Sequence, residues 1–284
     1  MQIVTLTSDN GLQDYYVAAI KGAILNQMPK ASIIDISHHI RPFDVANAAF
    51  QLRCCFQDFP KGTIHIIGVD SEPILNGEKS SYPTIMLFKE QYFISNDNGF
   101  FGCFLDEERP DEMYQYSDIV QFPELIKFPT KNCFVPLAKR IADGESISRF
   151  ATPTNAYKRA FMQKPVIEHL TIRGNVIHID SFGNLITNIT KADFNRFGEK
   201  TPFTIKYLNK EYYIDEIHET YNNVTMGERV AVFNSSELLE IAINRGANGS
   251  TGGANKLFGM RQGDPVHVEF TPKGSKEDIE SLFA

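Results

Sequence analysis

An α/β domain followed by an all-β, barrel-like domain is the architecture this sequence predicts, and three observations predict it. Strand-like and helix-like runs alternate through the first half. A Pro- and Lys-bearing stretch at residues 152–165 interrupts them, and short alternating runs separated by turn residues fill the remainder. The expected division is an N-terminal domain of residues 1–160 and a C-terminal domain of residues 166–284.

Each element follows from local chemistry. Residues 2–7 read as a strand, residues 14–28 as a helix halted before Pro29, residues 32–36 as a strand and residues 45–56 as a helix. Pro60, Lys61 and Gly62 break the chain before a strand at 63–69, another strand follows at 91–94, and a helix at 135–142 stops at Asp143 and Gly144. This is the βαβ pattern of a parallel sheet with helical cover, in which ligands belong at the C-terminal ends of strands. Beyond residue 166 the runs at 176–179, 203–207, 212–214, 229–233 and 266–270 alternate and are short, as in a small barrel or sandwich.

Composition narrows the function. A chain of 284 residues with 42% hydrophobic content can bury a sizeable core in two domains. It has no apolar run near the roughly 20 residues that span a bilayer, and it enters its first strand without a basic leader, so a soluble cytoplasmic protein is expected. A net charge of -7 with no Lys/Arg-rich tract argues against nucleic acid and makes a small molecule the expected partner. Cys54, Cys55, Cys103 and Cys133 lack the spacing and the neighbouring His of a zinc or nucleophile site, so they read as reduced, mostly buried thiols.

The polar residues cluster where strands end. Thr7-Ser8-Asp9-Asn10-Gly11-Leu12-Gln13-Asp14 follows the first strand, Val69-Asp70-Ser71 ends another, and Ser95-Asn96-Asp97-Asn98-Gly99 follows a third. One strand-end Asp is ordinarily a helix cap; several at one sheet edge point to a site. In the second half Asp180-Ser181-Phe182-Gly183-Asn184-Leu185-Ile186 packs a carboxylate, a ring, a glycine and a carboxamide into one segment, suited either to a hairpin turn or to gripping a polar ligand.

These residues resemble the S-adenosylmethionine hydroxide adenosyltransferases, a family homologous to the bacterial fluorinase and chlorinase, along essentially the whole chain. The resemblance is carried by Ser8-Asp9-Asn10-Gly11-Leu12-Gln13-Asp14 with Lys21-Gly22, Asp35-Ile36-Ser37-His38, Val69-Asp70, Asp97-Asn98-Gly99, Asp180 to Ile189, Asn234-Ser235-Ser236, Leu239-Glu240-Ile241-Ala242 and Gly263-Asp264. It implies an α/β domain, a β barrel and a homotrimer whose sites lie between one subunit's first domain and its neighbour's second. It also implies ligand-binding roles for Asp9, Asp14, Asn98, Asp180, Phe182, Asn184, Ile186 and Ser235. Asp9 would accept from the ribose hydroxyls with Asp14 in support, and Asp180 and Ser235 would hold the methionine ends. Phe182 and Asn184 would cover and read the ligand, and Ile186 would form an apolar wall.

The implied chemistry is displacement at the 5′ carbon of S-adenosylmethionine (SAM) with no metal or other cofactor. Asp70 matches the family's catalytic Asp. The family's Arg a few residues on is absent, with Lys79 the nearest cation, and the family's His falls at Pro129 or Thr130, neither of which accepts a proton. Glu72 is a candidate substitute base, whereas His38 and His39 read as structural. Three readings follow: a SAM hydrolase releasing adenosine and methionine, a SAM- or adenosine-binding protein without turnover, and, from the residues alone, a divalent-metal phosphatase using Asp9, Asp14, Asp70 and Asp97. A halide-using adenosyltransferase is the remaining variant, although the fluorinase's extra loop has no counterpart between Tyr82 and Tyr92.

Overall fold

A computed structural model describes residues 2–271 except 76, 78, 79, 199, 200 and 248–251. The chain divides into two compact units, Met1–Met162 and Gln163–Ala284.

The first unit holds strands β1 (Ile3–Ser8), β2 (Ser32–Ser37), β3 (Ile64–Gly68), β4 (Pro83–Phe88), β5 (Gln91–Asn96), β6 (Glu112–Gln115) and β7 (Thr152–Pro153), with helices α1 (Tyr16–Gln27), α2 (Val45–Arg53), α3 (Phe100–Leu105), α4 (Pro123–Ile126) and α5 (Val135–Ala142). They build one seven-stranded sheet in the order β2-β1-β3-β5-β4-β6-β7. The strands β2, β1, β3 and β5 run parallel, as the βαβ pattern requires. The outer strands β4, β6 and β7 are antiparallel, so the sheet is mixed rather than parallel throughout.

Both faces of this sheet are covered, which explains why all five residues of β3 are buried. One face packs Val4, Leu6, Ile64 and Ile66 with Ile20 and Ile24 of α1 and Val135, Ala138 and Ile141 of α5. The other packs Ile67, Met86 and Phe93 with Ala48 and Leu52 of α2 and the ring-rich α3. The polar exception on β3, His65, is satisfied inside the core: its Nδ1 lies 2.7 Å from Thr5 Oγ1 and its Nε2 2.6 Å from Gln91 Oε1. Burial pushes its pKa down to about 4 against the opposing Gln91 bond, so the ring is neutral at neutral pH.

Several expectations shift. Helix α1 begins at Tyr16, and α2 ends at Arg53, with a single 3₁₀ turn at Phe56–Asp58 beyond it. The stretch expected to join the halves is largely ordered against the first unit: Thr152 and Pro153 pair with β6, and the Lys158 N–H donates to Asp97. Of the thiols, Cys103 and Cys133 are buried, Cys55 is half-buried and Cys54 is exposed.

The second unit holds β8 (Val166–Glu168), β9 (Thr171–Ile179), β10 (Leu185–Thr190), β11 (Phe203–Tyr207), β12 (Asn209–Ile214), β13 (Ile217–His218), β14 (Arg229–Phe233), β15 (Leu238–Ile243) and β16 (Pro265–Phe270), with short helices α6 (Lys191–Asn195) and α7 (Ala254–Leu257). The nine strands form one sheet in the order β12-β11-β16-β9-β10-β15-β14-β13, with β8 added on β9. The sheet curls until β12 approaches β14, giving a nearly closed, barrel-like wall around Val176, Leu185, Ile205, Ile241, Val266 and Val268.

Candidate active site

The parallel register sets the edge of the first unit. Ser8 at the end of β1 pairs with Gly68 at the end of β3, so the residues after both strands emerge together, and β5 runs alongside. Asp9 and Asp70, and Asp97 with Asn98 after β5, therefore share the C-terminal edge where an α/β sheet binds ligands.

Asp9 is oriented by two backbone donors. Its Oδ2 accepts from Phe43 N–H at 3.0 Å and from Asp70 N–H at 3.3 Å, and neither bond uses Oδ1. Both donors are non-glycine residues in the left-handed region, with φ of 66° at Phe43 and 45° at Asp70. Such conformations cost on the order of 1–3 kcal/mol each and persist where surrounding contacts enforce them, typically at functional sites. The Asp9 turn is pinned from below: Gly11 N–H donates to the His38 carbonyl at 2.8 Å, and the His38 ring sets Nδ1 2.7 Å from Ser8 Oγ. His38 Nε2 stands 3.1 Å from Asp35 Oδ1, and Lys21 Nζ stands 2.6 Å from Asp35 Oδ2. Partial burial works against the Asp35 anion, but Lys21 and His38 together hold its carboxyl below the usual range.

Asp70 is fixed at both ends of its peptide. Besides the N–H given to Asp9, its carbonyl accepts from Asn98 Nδ2 at 2.9 Å, and the same amide donates to the Val69 carbonyl at 3.0 Å. Burial, reinforced by the Asp9 charge and Glu72 and opposed by Lys158, holds the Asp70 carboxyl above the usual range. Asp97 is likewise raised, by burial, against the N–H and charge of Lys158.

Thr130 lies close to this edge. It starts the π-helical turn Thr130–Phe134 that leads into α5, and a Cβ added at Gly68 would stand 2.6 Å from its hydroxyl oxygen. The close approach requires glycine at the end of β3, two residues before Asp70. Asp14, in contrast, is exposed ahead of α1 and does not cap it, and Glu72 and His39 are exposed. Among the described residues no group of three His, Cys, Asp or Glu side chains is placed to hold a metal ion, so the four aspartates of the phosphatase reading do not form a ligand set.

In the second unit the segment 180–184 is the turn of the β9–β10 hairpin. Asp180 Oδ1 accepts from the N–H groups of Phe182 and Asn184, each at 2.9 Å, and Oδ2 from Asn184 Nδ2 at 3.1 Å. Gly183 takes φ of 88°, and Gly253 presses on the turn so tightly that a Cβ there would meet the Phe182 carbonyl at 2.2 Å. The turn thereby thrusts out Phe182, 60% exposed, while Asn184 stays buried. Ile186 pairs with Glu240 on β15, whose buried carboxylate accepts from Tyr221 Oη at 2.6 Å and Asn234 Nδ2 at 3.1 Å. Burial, then Glu240 and Asp180, push the Tyr221 hydroxyl up. Ser235 is exposed in the β14–β15 turn, which Asn234 caps by accepting from the N–H groups of Ser236 and Leu238.

Comparison with known proteins matches the model of the SAM hydroxide adenosyltransferase N-terminal domain to residues 4–151 and that of the C-terminal domain to residues 174–267. The chain belongs to the SAM hydroxide adenosyltransferase family. Its relatives include the (R)-S-adenosyl-L-methionine hydrolase of Methanocaldococcus jannaschii, 28% identical over 85% of this chain and 88% of that one. A fluorinase of an Actinoplanes species is 25% identical over 69% of this chain and 74% of its own. The crystal structure of an uncharacterized conserved protein from Thermotoga maritima superposes with a TM-score of 0.80 at 28% identity, over 94% of this chain and 99% of that one.

Within this SAM hydroxide adenosyltransferase homologue, the structure brings Asp9, Asp70 and Asn98 together, and separately Asp180 with Asn184. Lys79 lies outside the described residues. Phe43, Lys158 and Tyr221 went unrecognised in the sequence, and Glu240 entered only within the matched run Leu239–Ala242, without a role. A signal existed only for Glu240, a charge inside the apolar run Leu238–Ile243.

Proposed function

We propose that the protein hydrolyses SAM to adenosine and methionine by displacement at C5′. The observation that carries this reading is the Asp9–Asp70 linkage, which holds one carboxylate to receive a sugar and sets a second, raised in pKa, beside it at the ligand edge of the sheet. Water oxygen bonds to C5′ as the C5′–S bond breaks, the bonding pair goes to the sulfonium sulfur to give neutral methionine, and the water proton passes to Asp70. Because the leaving group already carries its charge, no cofactor is required, and the protein's share is to align the reactants and exclude competing water. Asp9 accepts from the ribose hydroxyls through a charge-assisted bond, and Asn98, a ligand-binding residue in this reading, also holds the Asp70 backbone.

Asp180, Phe182, Asn184, Ile186 and Ser235 hold and cover the remainder of the ligand in this reading, with Asp14 as an outer support to Asp9. The assembly that completes the site is a homotrimer, supported by the family resemblance. Four unbridged cysteines suit a reducing cytoplasmic setting.

The absence of the family's Arg, and of its His, whose place falls at Pro129 or Thr130, favours a second reading, a SAM- or adenosine-binding protein without turnover. Incubation of the purified protein with SAM, with and without chloride, separates the two once products are resolved by chromatography. Equimolar adenosine and methionine are expected. Bound but unconverted SAM would establish the binding protein, and 5′-chloroadenosine a halide-using enzyme.

A further inference from the structure

Carboxylates crowd the ligand edge of the first unit. Asp9 and Glu72 both act on Asp70 with like charge, and Asp97 lies after the next strand. A cation there would offset them, and the 71–75 stretch that follows Asp70 carries none.

The chain supplies a cation from far along the sequence. Lys158 N–H donates to both oxygens of the Asp97 carboxylate, at 2.9 and 3.1 Å. The segment is seated on α3 so closely that a Cβ at Gly102 would stand 2.8 Å from the Lys158 carbonyl oxygen and 2.4 Å from Ala160 N. Asp97 and Asn98 thus do paired work: one holds Lys158, and the next holds the Asp70 carbonyl. The Lys158 charge acts on Asp97 and on Asp70 alike.

We propose that Lys158 is the positioning cation of the Asp70 carboxylate, held in place by Asp97 and by the glycine-lined seat on α3. It touches neither water nor SAM in this account. Its ammonium stabilises the Asp70 anion against Asp9 and Glu72 and so keeps the proton acceptor available. The inference rests on the reading of Asp70 as that acceptor, and its sign is definite. Loss of the positive charge raises the Asp70 pKa, so the carboxylate stays protonated to higher pH and the acid limb of the kcat/KM profile moves upward.

The test uses the full chain labelled with 13C at aspartate carboxyls, with the Asp70 resonance assigned by its loss in Asp70→Asn. In Lys158→Met the Asp70 titration should move upward by on the order of one pH unit, and the acid limb of SAM turnover should move with it. Lys158→Arg, which keeps the charge, should hold both near the parent. An Asp70 titration unmoved by Lys158→Met would overturn the proposal. If the parent protein turned over no SAM, the hydrolase reading alone would fall, because the titration decides the role of Lys158 without activity.

Discussion

The N–H of Asp70 donates across 3.3 Å to Oδ2 of Asp9, linking the ends of two neighbouring parallel strands through a residue whose φ is 45°. The bond makes the two carboxylates one structural unit. Asp9 holds Asp70 in a conformation its own side chain disfavours, while Asp70 fixes which oxygen of Asp9 remains for a ligand. A change at Asp9 therefore has two consequences: a lost acceptor and a relaxed Asp70.

Asp9→Ala should weaken SAM or adenosine binding about 10- to 100-fold, the worth of a charge-assisted bond from a partly buried site. Isothermal titration calorimetry reads this directly. Affinity equal to the parent would remove Asp9 from the ligand site.

His38 bears on Asp9 through Ser8 and through the Gly11 N–H bonded to its carbonyl. His38→Ala leaves Ser8 Oγ without its ring partner and Asp35 facing Lys21 alone, so a stability loss of about 1–3 kcal/mol is expected in urea unfolding. His38→Asn, which can restore one of the two contacts, should recover part of it. Equal stability of all three proteins would show that the Ser8–His38–Asp35 chain is not holding the turn.

His65 gives the protein a pH-dependent stability. Its folded pKa of about 4 lies below its ordinary value of 6.5. The unfolded chain therefore takes up the proton first, and the stabilisation present above that ordinary value is lost as pH falls toward the folded pKa. The slope through that window is at most about 1.4 kcal/mol per pH unit from this group. Urea midpoints measured across the window should fall more steeply for the parent than for His65→Gln; identical slopes would mean that the ring is not buried neutral.

Glu240 is a buried carboxylate served by two side-chain donors, Tyr221 and Asn234. Tyr221→Phe removes one of them and should cost about 1–3 kcal/mol in denaturant unfolding. An unchanged midpoint would mean that solvent already reaches the carboxylate.

Sequence alone reveals the frame where a local signal exists. The apolar runs of β1 and β3, broken by Pro60 and Gly62, and the halt of α5 before Gly144 are such signals. The outer strands β4 and β6 are not legible because their pairing is antiparallel and set by tertiary contact, and β4 even begins with Pro83. The run Phe100–Leu105 is apolar at every position, so it carries no period to separate helix from strand. The site divides in the same way. Asp9, Asp70 and Asn98 are visible as strand-end residues, but Lys158 reaches Asp97 across 61 positions of chain, and the role of Phe43 lies in its backbone.

The central claim is that Asp70 accepts the proton of the attacking water, and Asp70→Asn tests it most directly. Asparagine tolerates the left-handed backbone and can keep the N–H to Asp9 and the carbonyl to Asn98, so it removes the base with little disturbance of the site. With SAM affinity followed by calorimetry and turnover by adenosine release, the variant should bind SAM within a few-fold of the parent and lose turnover roughly 10²- to 10⁴-fold. Turnover retained in Asp70→Asn, or lost only in step with binding, would contradict the account.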